Sequence, residues 1–203
     1  ILASHAQSYT PLMESPFLLE GTKSMPVIWL VAILASALAA LVIGALSLRT
    51  SGVYFIMITM AFAQMVFYLF ISLEIYGGDD GLVIDTRSEF PLINLDNPLH
   101  LYFLSFVSLA AAMLIVRTIT RSQFGMVLQG TMGNEERMIA LGYNTFAYKL
   151  TAYVISGAMC GYAGALLGNF TTFISPEMMG WTRSGELMFM VILGGAGSTI
   201  GPV

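Results

Sequence analysis

Four stretches of this chain run for twenty residues or more without an Asp, Glu, Lys or Arg, and nothing else constrains the fold as strongly. They lie between Lys23 and Arg49, Arg49 and Glu74, Asp96 and Arg117, and Lys149 and Glu177. A helix rises about 1.5 Å per residue and the hydrocarbon core of a bilayer is roughly 30 Å thick, so about 20 apolar residues make one crossing. Inside lipid every backbone N–H and C=O must be paired within the protein, which leaves only helices and closed barrels. The runs lack the period-2 alternation of barrel strands, so helices are expected. Only 10% of the residues are charged, against about 25% in a soluble domain. That share cannot cover a water-soluble globule. The net charge of −4 offers no footprint for phosphates and excludes a nucleic-acid binder. The single Cys160 excludes a disulfide framework and a thiolate metal cluster. The expected fold is an all-α, polytopic transmembrane helix bundle, with no metal and no cofactor of its own.

The expected crossings are 25–48, 52–73, 98–118 and 149–170, followed by a fifth over 186–203. Ser24-Met25-Pro26 and Asn97-Pro98 suit helix starts, since a cap followed by an early proline leaves no backbone donor wasted. All of 1–203 reads as one membrane domain. The chain begins at Ile1 and stops at Val203 within an uncharged run, so the middle of a longer protein is expected. With alternating connections, one side of the membrane receives Arg49, Arg117, Arg121, Arg137 and Lys149. The other receives Lys23, Arg87 and Arg183 with ten of the twelve acids. Lys and Arg favour the cytoplasm, so the first side is assigned as inside.

The inside connection, 119–148, carries helix signals of its own. Asn134 is placed to cap a helix start, with Glu135 and Glu136 in the first turn, where negative charge complements the helix dipole. Gly142 follows Ala140 and Leu141 and suits a left-handed helix end, after which Asn144 or Thr145 can cap the next crossing. The spacing predicts a helix of about two turns. Helices this short are marginal alone in water, so a neighbouring surface is expected to hold it. Arg137, Met138, Ile139 and Leu141 give it a mixed apolar and charged face. Local pattern alone leaves two readings open, a solvated connector and a docking element.

Gly157, Gly161, Gly164 and Gly168 fall on one helix face, the pattern by which helix backbones approach closely in lipid. A helix–helix seam is expected there, with its partner undecided between this chain and another. Thr59 and Gln64 are polar positions within the second crossing. They are candidates for a translocation path, although a hydrogen bond to a neighbouring helix is the commoner use of such residues. The run from Gly194 to Gly201 has neither the Lys of a phosphate loop nor a preceding strand, so a close-packed or broken membrane helix is expected. The fourteen Met residues lack accompanying His or Cys series and read as core filling.

Three blocks then carry a resemblance. Gly52-Val-Tyr-Phe-Ile-Met-Ile-Thr-Met-Ala-Phe-Ala-Gln64 with Gly77-Gly-Asp-Asp-Gly-Leu82 is the first. The second is Arg121-Ser-Gln-Phe-Gly125, Asn134-Glu-Glu-Arg137, Ala140-Leu-Gly-Tyr-Asn-Thr-Phe146 and Tyr148-Lys-Leu150. The third is Trp181-Thr-Arg-Ser-Gly-Glu186 with Ile192-Leu-Gly-Gly-Ala-Gly-Ser-Thr-Ile-Gly-Pro202. In this order they resemble the permeases of branched-chain amino-acid ABC importers, the LivM type, over roughly 45–203. The resemblance implies a bacterial inner-membrane permease subunit that moves leucine, isoleucine, valine or related amino acids and is not an enzyme. It implies a homologous second permease, two cytoplasmic ATPase subunits that hold the ATP, and an external substrate-binding protein facing the loop with Asp79, Asp80 and Asp85. The short helix at 134–142 would be the coupling helix, with Asn134, Glu135, Glu136, Arg137, Ala140, Leu141 and Gly142 facing the ATPase. Glu136 and Gly142 keep the Glu-to-Gly spacing of the general importer signature, while Arg137 and Met138 replace its two alanines. Importers of urea or short amides share much of this pattern. An ion-coupled secondary transporter is the competing class, but it usually needs ionisable groups deep in the bilayer, and the four runs contain none.

Overall fold

The computed structural model describes residues 25–72, 82–83, 98–171 and 173–195. Four helices among them have the length and apolarity to cross a membrane. They are α1 (Met25–Ser47), α2 (Val53–Ser72), α3 (Pro98–Arg121) and α6 (Thr145–Thr171). Two shorter helices, α4 (Gln123–Gly133) and α5 (Glu135–Ala140), fill the connection between α3 and α6. A 3-10 turn at Pro176–Met179 leads into α7 (Trp181–Gly194). The chain is an all-α transmembrane bundle.

Helix ends follow caps rather than hydropathy. The third crossing was expected to end at 118, but α3 continues to Arg121, where Ser122 interrupts it. The fourth was expected from 149, yet α6 starts at Thr145 because Asn144 Oδ1 accepts from the Ala147 N–H at 3.3 Å. Apolarity marks only the part of a helix inside hydrocarbon, and the backbone stays helical until a capping group ends it. The fifth span was expected over 186–203; α7 already begins at Trp181 and ends at Gly194, beside Gly195 at φ +94°. Residues 196–203, with the rest of the glycine run and Pro202, lie outside the described residues.

The tightest packing is the antiparallel pair α1 and α6. A Cβ on Gly157 would lie 2.5 Å from Ala40 Cβ, and one on Gly161 would meet Ser36 and lie 2.9 Å from the Ala32 carbonyl oxygen. From the α1 side, a Cβ on Gly44 would lie 2.7 Å from the Tyr153 ring and 3.1 Å from Leu150. The Trp29 ring meets Tyr162 edge-on at 5.1 Å. Rising numbers in α1 thus match falling numbers in α6. The Ala32, Ser36, Ala40 and Gly44 series recurs every fourth residue, so a stripe of small residues on α1 receives the glycines of α6. The seam expected from the glycines is therefore internal to the chain at Gly157 and Gly161. Gly168 is buried, whereas a Cβ on Gly164 would meet nothing within 4 Å. On the far side of α1, Leu30, Leu34 and Leu38 are exposed, as suits helices whose solvent is lipid.

A two-residue antiparallel bridge pairs β1 (Leu82–Val83) with β2 (Phe173–Ile174), Leu82 opposite Ile174. It places the α2–α3 and α6–α7 connections on the same side of the bundle. The antiparallel seam puts the end of α1 beside the start of α6 on the other. Both agree with the alternation of sides read from the charges.

Candidate coupling site

The segment between α3 and α6 is built around three caps. Ser122 breaks the path from α3, its hydroxyl donating to the Ile119 carbonyl at 2.6 Å and accepting from the Gly125 N–H at 3.5 Å. Gly125 is buried in the corner this makes, because a Cβ there would press on the Thr120 and Ile119 carbonyl oxygens. The sequence reading missed α4 altogether. Its Gly125, Gly130 and Gly133 lower helix propensity, and the only local signal was Ser122 as an N-cap.

Asn134 ends α4 and starts α5. Its own N–H donates to the Gly130 carbonyl at 3.0 Å, while its Oδ1 accepts from the Arg137 N–H at 3.0 Å. Glu135 and Glu136 occupy the first turn of α5 as expected. At the other end the Gly142 N–H donates to the Ile139 carbonyl at 2.9 Å and the Tyr143 N–H to the Met138 carbonyl at 3.1 Å. This double bond pattern is a left-handed helix end, and Gly142 adopts the φ of +90° it requires. Because nothing lies within 4 Å of a Cβ at Gly142, its constraint is purely backbone. Gly142→Ala should therefore lower stability by about 1–2 kcal/mol, with Gly142→Asn costing less because Asn tolerates that conformation. Thermal unfolding of the detergent-solubilised protein reads the difference; equal losses would contradict a conformational cause.

One side of α5 is held. Met138 lies against α4, its sulfur 2.8 Å from where a Gly130 Cβ would be. A single carboxylate oxygen of Glu135, Oε1, accepts from Lys149 Nζ at 2.6 Å and from the Thr145 hydroxyl at 3.1 Å. The Lys149 hydrogen bond holds the Glu135 carboxyl below its ordinary value; desolvation, the next largest influence, opposes it, and the Thr145 hydrogen bond and the Lys149 charge add to the lowering. The folded-state value being the lower one, the clamp is fully formed above the ordinary carboxylate range and is lost only as pH falls through the depressed value. Thr145 is buried, whereas Glu135 and Lys149 keep 46% and 33% of their side-chain surface. An ion pair so exposed contributes only about 0.2–1 kcal/mol to stability. The Phe124 ring stacks on Tyr148 at 5.4 Å and Tyr143 meets Tyr148 edge-on at 6.1 Å, tying α4 and the α5–α6 turn to α6. The other side of α5 is bare. Glu136, Arg137, Ile139, Ala140 and Leu141 are exposed, and Glu136 and Arg137 form no ion pair among the described residues.

The structure does not bring Thr59 and Gln64 together. Five positions apart, they point to different faces of α2. The Thr59 hydroxyl donates within its own helix, to the Phe55 carbonyl at 2.9 Å and the Ile56 carbonyl at 3.0 Å. Gln64 lines a shallow hollow on α2 with Tyr68 and Ser72. A larger, mainly apolar crevice of about 1140 Å³ opens between α3 and α6, lined by Ser105, Ser108, Ile115, Ser156, Met159 and Tyr162 among others. Neither Thr59 nor Gln64 reaches it. The spacing of Ser105 and Ser108 on α3 was the signal that could have pointed there. Asp79, Asp80 and Asp85 lie outside the described residues.

Bilayer-length helices joined on one side by a capped pair of short helices define a multi-pass helical membrane protein. The sequence profile of the family described as branched-chain amino acid transport system / permease component matches residues 5–203, and the chain belongs to that family. Two curated relatives are high-affinity branched-chain amino acid transport system permease proteins LivM. That of Salmonella typhimurium is 28% identical and that of Escherichia coli 27%, each over 189 aligned residues. The alignments cover 81% of this chain and 44% of each relative, so the chain spans under half the length of the curated relatives it matches. No solved structure matches it.

Proposed function

We propose that the chain is the membrane-crossing core of the permease subunit of an ATP-driven importer for branched-chain amino acids in a bacterial inner membrane. It pairs with a homologous second permease, binds two cytoplasmic ATPase subunits, and receives its amino acid from an external binding protein. Family membership and the LivM relatives support the transport class. The observation that carries the mechanism is α5, capped at both ends and fixed to the bundle on one side, with Glu136, Arg137, Ile139 and Leu141 turned outward. Such a mixed apolar and charged face fits a groove on an ATPase. ATP binding closes the ATPase pair, displaces α5, and tilts the crossings between outward-open and inward-open arrangements. The chain performs no bond chemistry; it converts the motion of its partners into passage of a solute.

Glu136→Lys reverses the charge on the bare side of α5 without touching the Glu135 contacts. In vesicles reconstituted with the full-length permease and its partners, uptake of radiolabelled leucine should fall at least tenfold, about 1.4 kcal/mol of coupling, at unchanged membrane levels of the protein. Wild-type uptake would overturn the coupling role. Uptake of urea in preference to leucine would reassign the substrate.

A further inference from the structure

Two routes connect α5 directly to α6, one through the turn between them and one through a side chain of α5 itself. The covalent route passes through Gly142, left-handed and with nothing within 4 Å of where a Cβ would be, and then Tyr143 and Asn144. That turn is held to α6 by the edge-on contact of Tyr143 with Tyr148 at 6.1 Å and by the Asn144 cap, and neither contact involves a side chain of α5. The second route is the Glu135 carboxylate, which reaches back across the turn to Lys149 at 2.6 Å and Thr145 at 3.1 Å. Thr145 and Lys149 lie four residues apart on one face of the first turn of α6. One carboxylate oxygen of α5 therefore meets α6 at two points, one of them the buried Thr145. Beyond this grip α6 continues as one uninterrupted helix into the Gly157 and Gly161 seam with α1.

We infer that Glu135, Lys149 and Thr145 form the joint that passes displacement of α5 into α6 and, through the glycine seam, into α1. This rests on the reading of α5 as the element moved by an ATPase, and it divides the two acids of the first turn between two tasks. Glu136 faces the partner. Glu135 is turned toward Thr145 and Lys149 of α6 and is a positioning residue, not an ATPase contact. Its place in the sequence gave no hint of the division, because both acids equally suit a helix N-terminus.

The test uses the full-length permease assembled with its ATPase subunits in vesicles, comparing Glu135→Lys, Lys149→Glu and the double exchange. Each single variant should lower leucine uptake at least tenfold while the ATPase subunits still co-purify and still hydrolyse ATP, raising ATP spent per amino acid moved. The double exchange should return uptake to within about threefold of wild type. Uptake unchanged in the single variants, no rescue by the exchange, or loss of ATPase binding would each overturn the joint. Should the charge variants fail to accumulate, Glu135→Cys with Lys149→Cys in a Cys160→Ser background replaces the clamp by a flexible bis-maleimide bridge. Uptake should be low before bridging and restored after it, and restoration absent would equally overturn the inference. Glu136→Lys separates the two ideas. If it abolishes uptake while the clamp variants do not, only the joint fails; if it has no effect, the reading of α5 itself fails.

Discussion

Gly161→Leu is expected to pry α1 from α6 and to lower stability by about 3 kcal/mol, the upper end of what overpacking a tight contact usually costs. Even a Cβ at this position would meet the Ser36 side chain and lie 2.9 Å from the Ala32 carbonyl oxygen. The serine can turn aside, but the carbonyl belongs to the α1 backbone and moves only if the helix moves. In lipid the hydrophobic effect does not hold two apolar helices together, so close backbone approach supplies most of their attraction and is lost when they separate. Gly164→Leu is the matched control. It lies on the same glycine stripe, yet nothing stands within 4 Å of a Cβ there, and its effect should stay within about 0.5 kcal/mol. Thermal unfolding in detergent distinguishes the two, and equal losses would refute the assignment of the seam to α1.

Gly125→Ala should be nearly as damaging, at about 2–3 kcal/mol, for one added methyl. The added Cβ would lie 2.6 Å from the Ile119 carbonyl oxygen and against that of Thr120, both main-chain atoms at the end of α3. No rotamer relieves that contact, so the corner at Ser122 has to open. Because α5 is attached to α4 through Asn134 and Met138, the damage should spread outward as faster hydrogen exchange over 123–140. Gly130→Ala gives the contrast. There the obstacle is the Met138 side chain, sulfur at 2.8 Å, and a methionine can repack; a loss below about 1 kcal/mol is expected. Comparable exchange in the two variants would mean that the corner is not held by Gly125.

The long helices were legible because membrane thickness dictates their length, a rule that needs no knowledge of neighbours. Asn134, the acidic first turn and Gly142 were legible because caps are chemistry between residues three or four apart. The partner of the Gly157 and Gly161 face was not named in advance, although Ala32, Ser36, Ala40 and Gly44 repeat at the matching interval. Pairing two stripes demands a register that only three-dimensional packing fixes. The α4 helix escaped notice since its glycines disfavour a helix locally and its corner exists only through α3. The grip of Glu135 on Lys149 and Thr145 escaped for a similar reason, being a contact across a turn whose path the left-handed glycine decides. Thr59 and Gln64 stand five positions apart, and the helical repeat sets them on different faces of α2, a separation that the sequence interval itself contains.

The small bridge between Leu82–Val83 and Phe173–Ile174 bears on biogenesis. Its first half leaves the ribosome well before its second, and the two meet only if an even number of crossings separates them. A nascent chain that skipped α3 or α6 during insertion would strand them on opposite leaflets, beyond reach of each other. The bridge thus forms only when α3 and α6 have shared one fate at the membrane, and a single missed crossing leaves its halves apart.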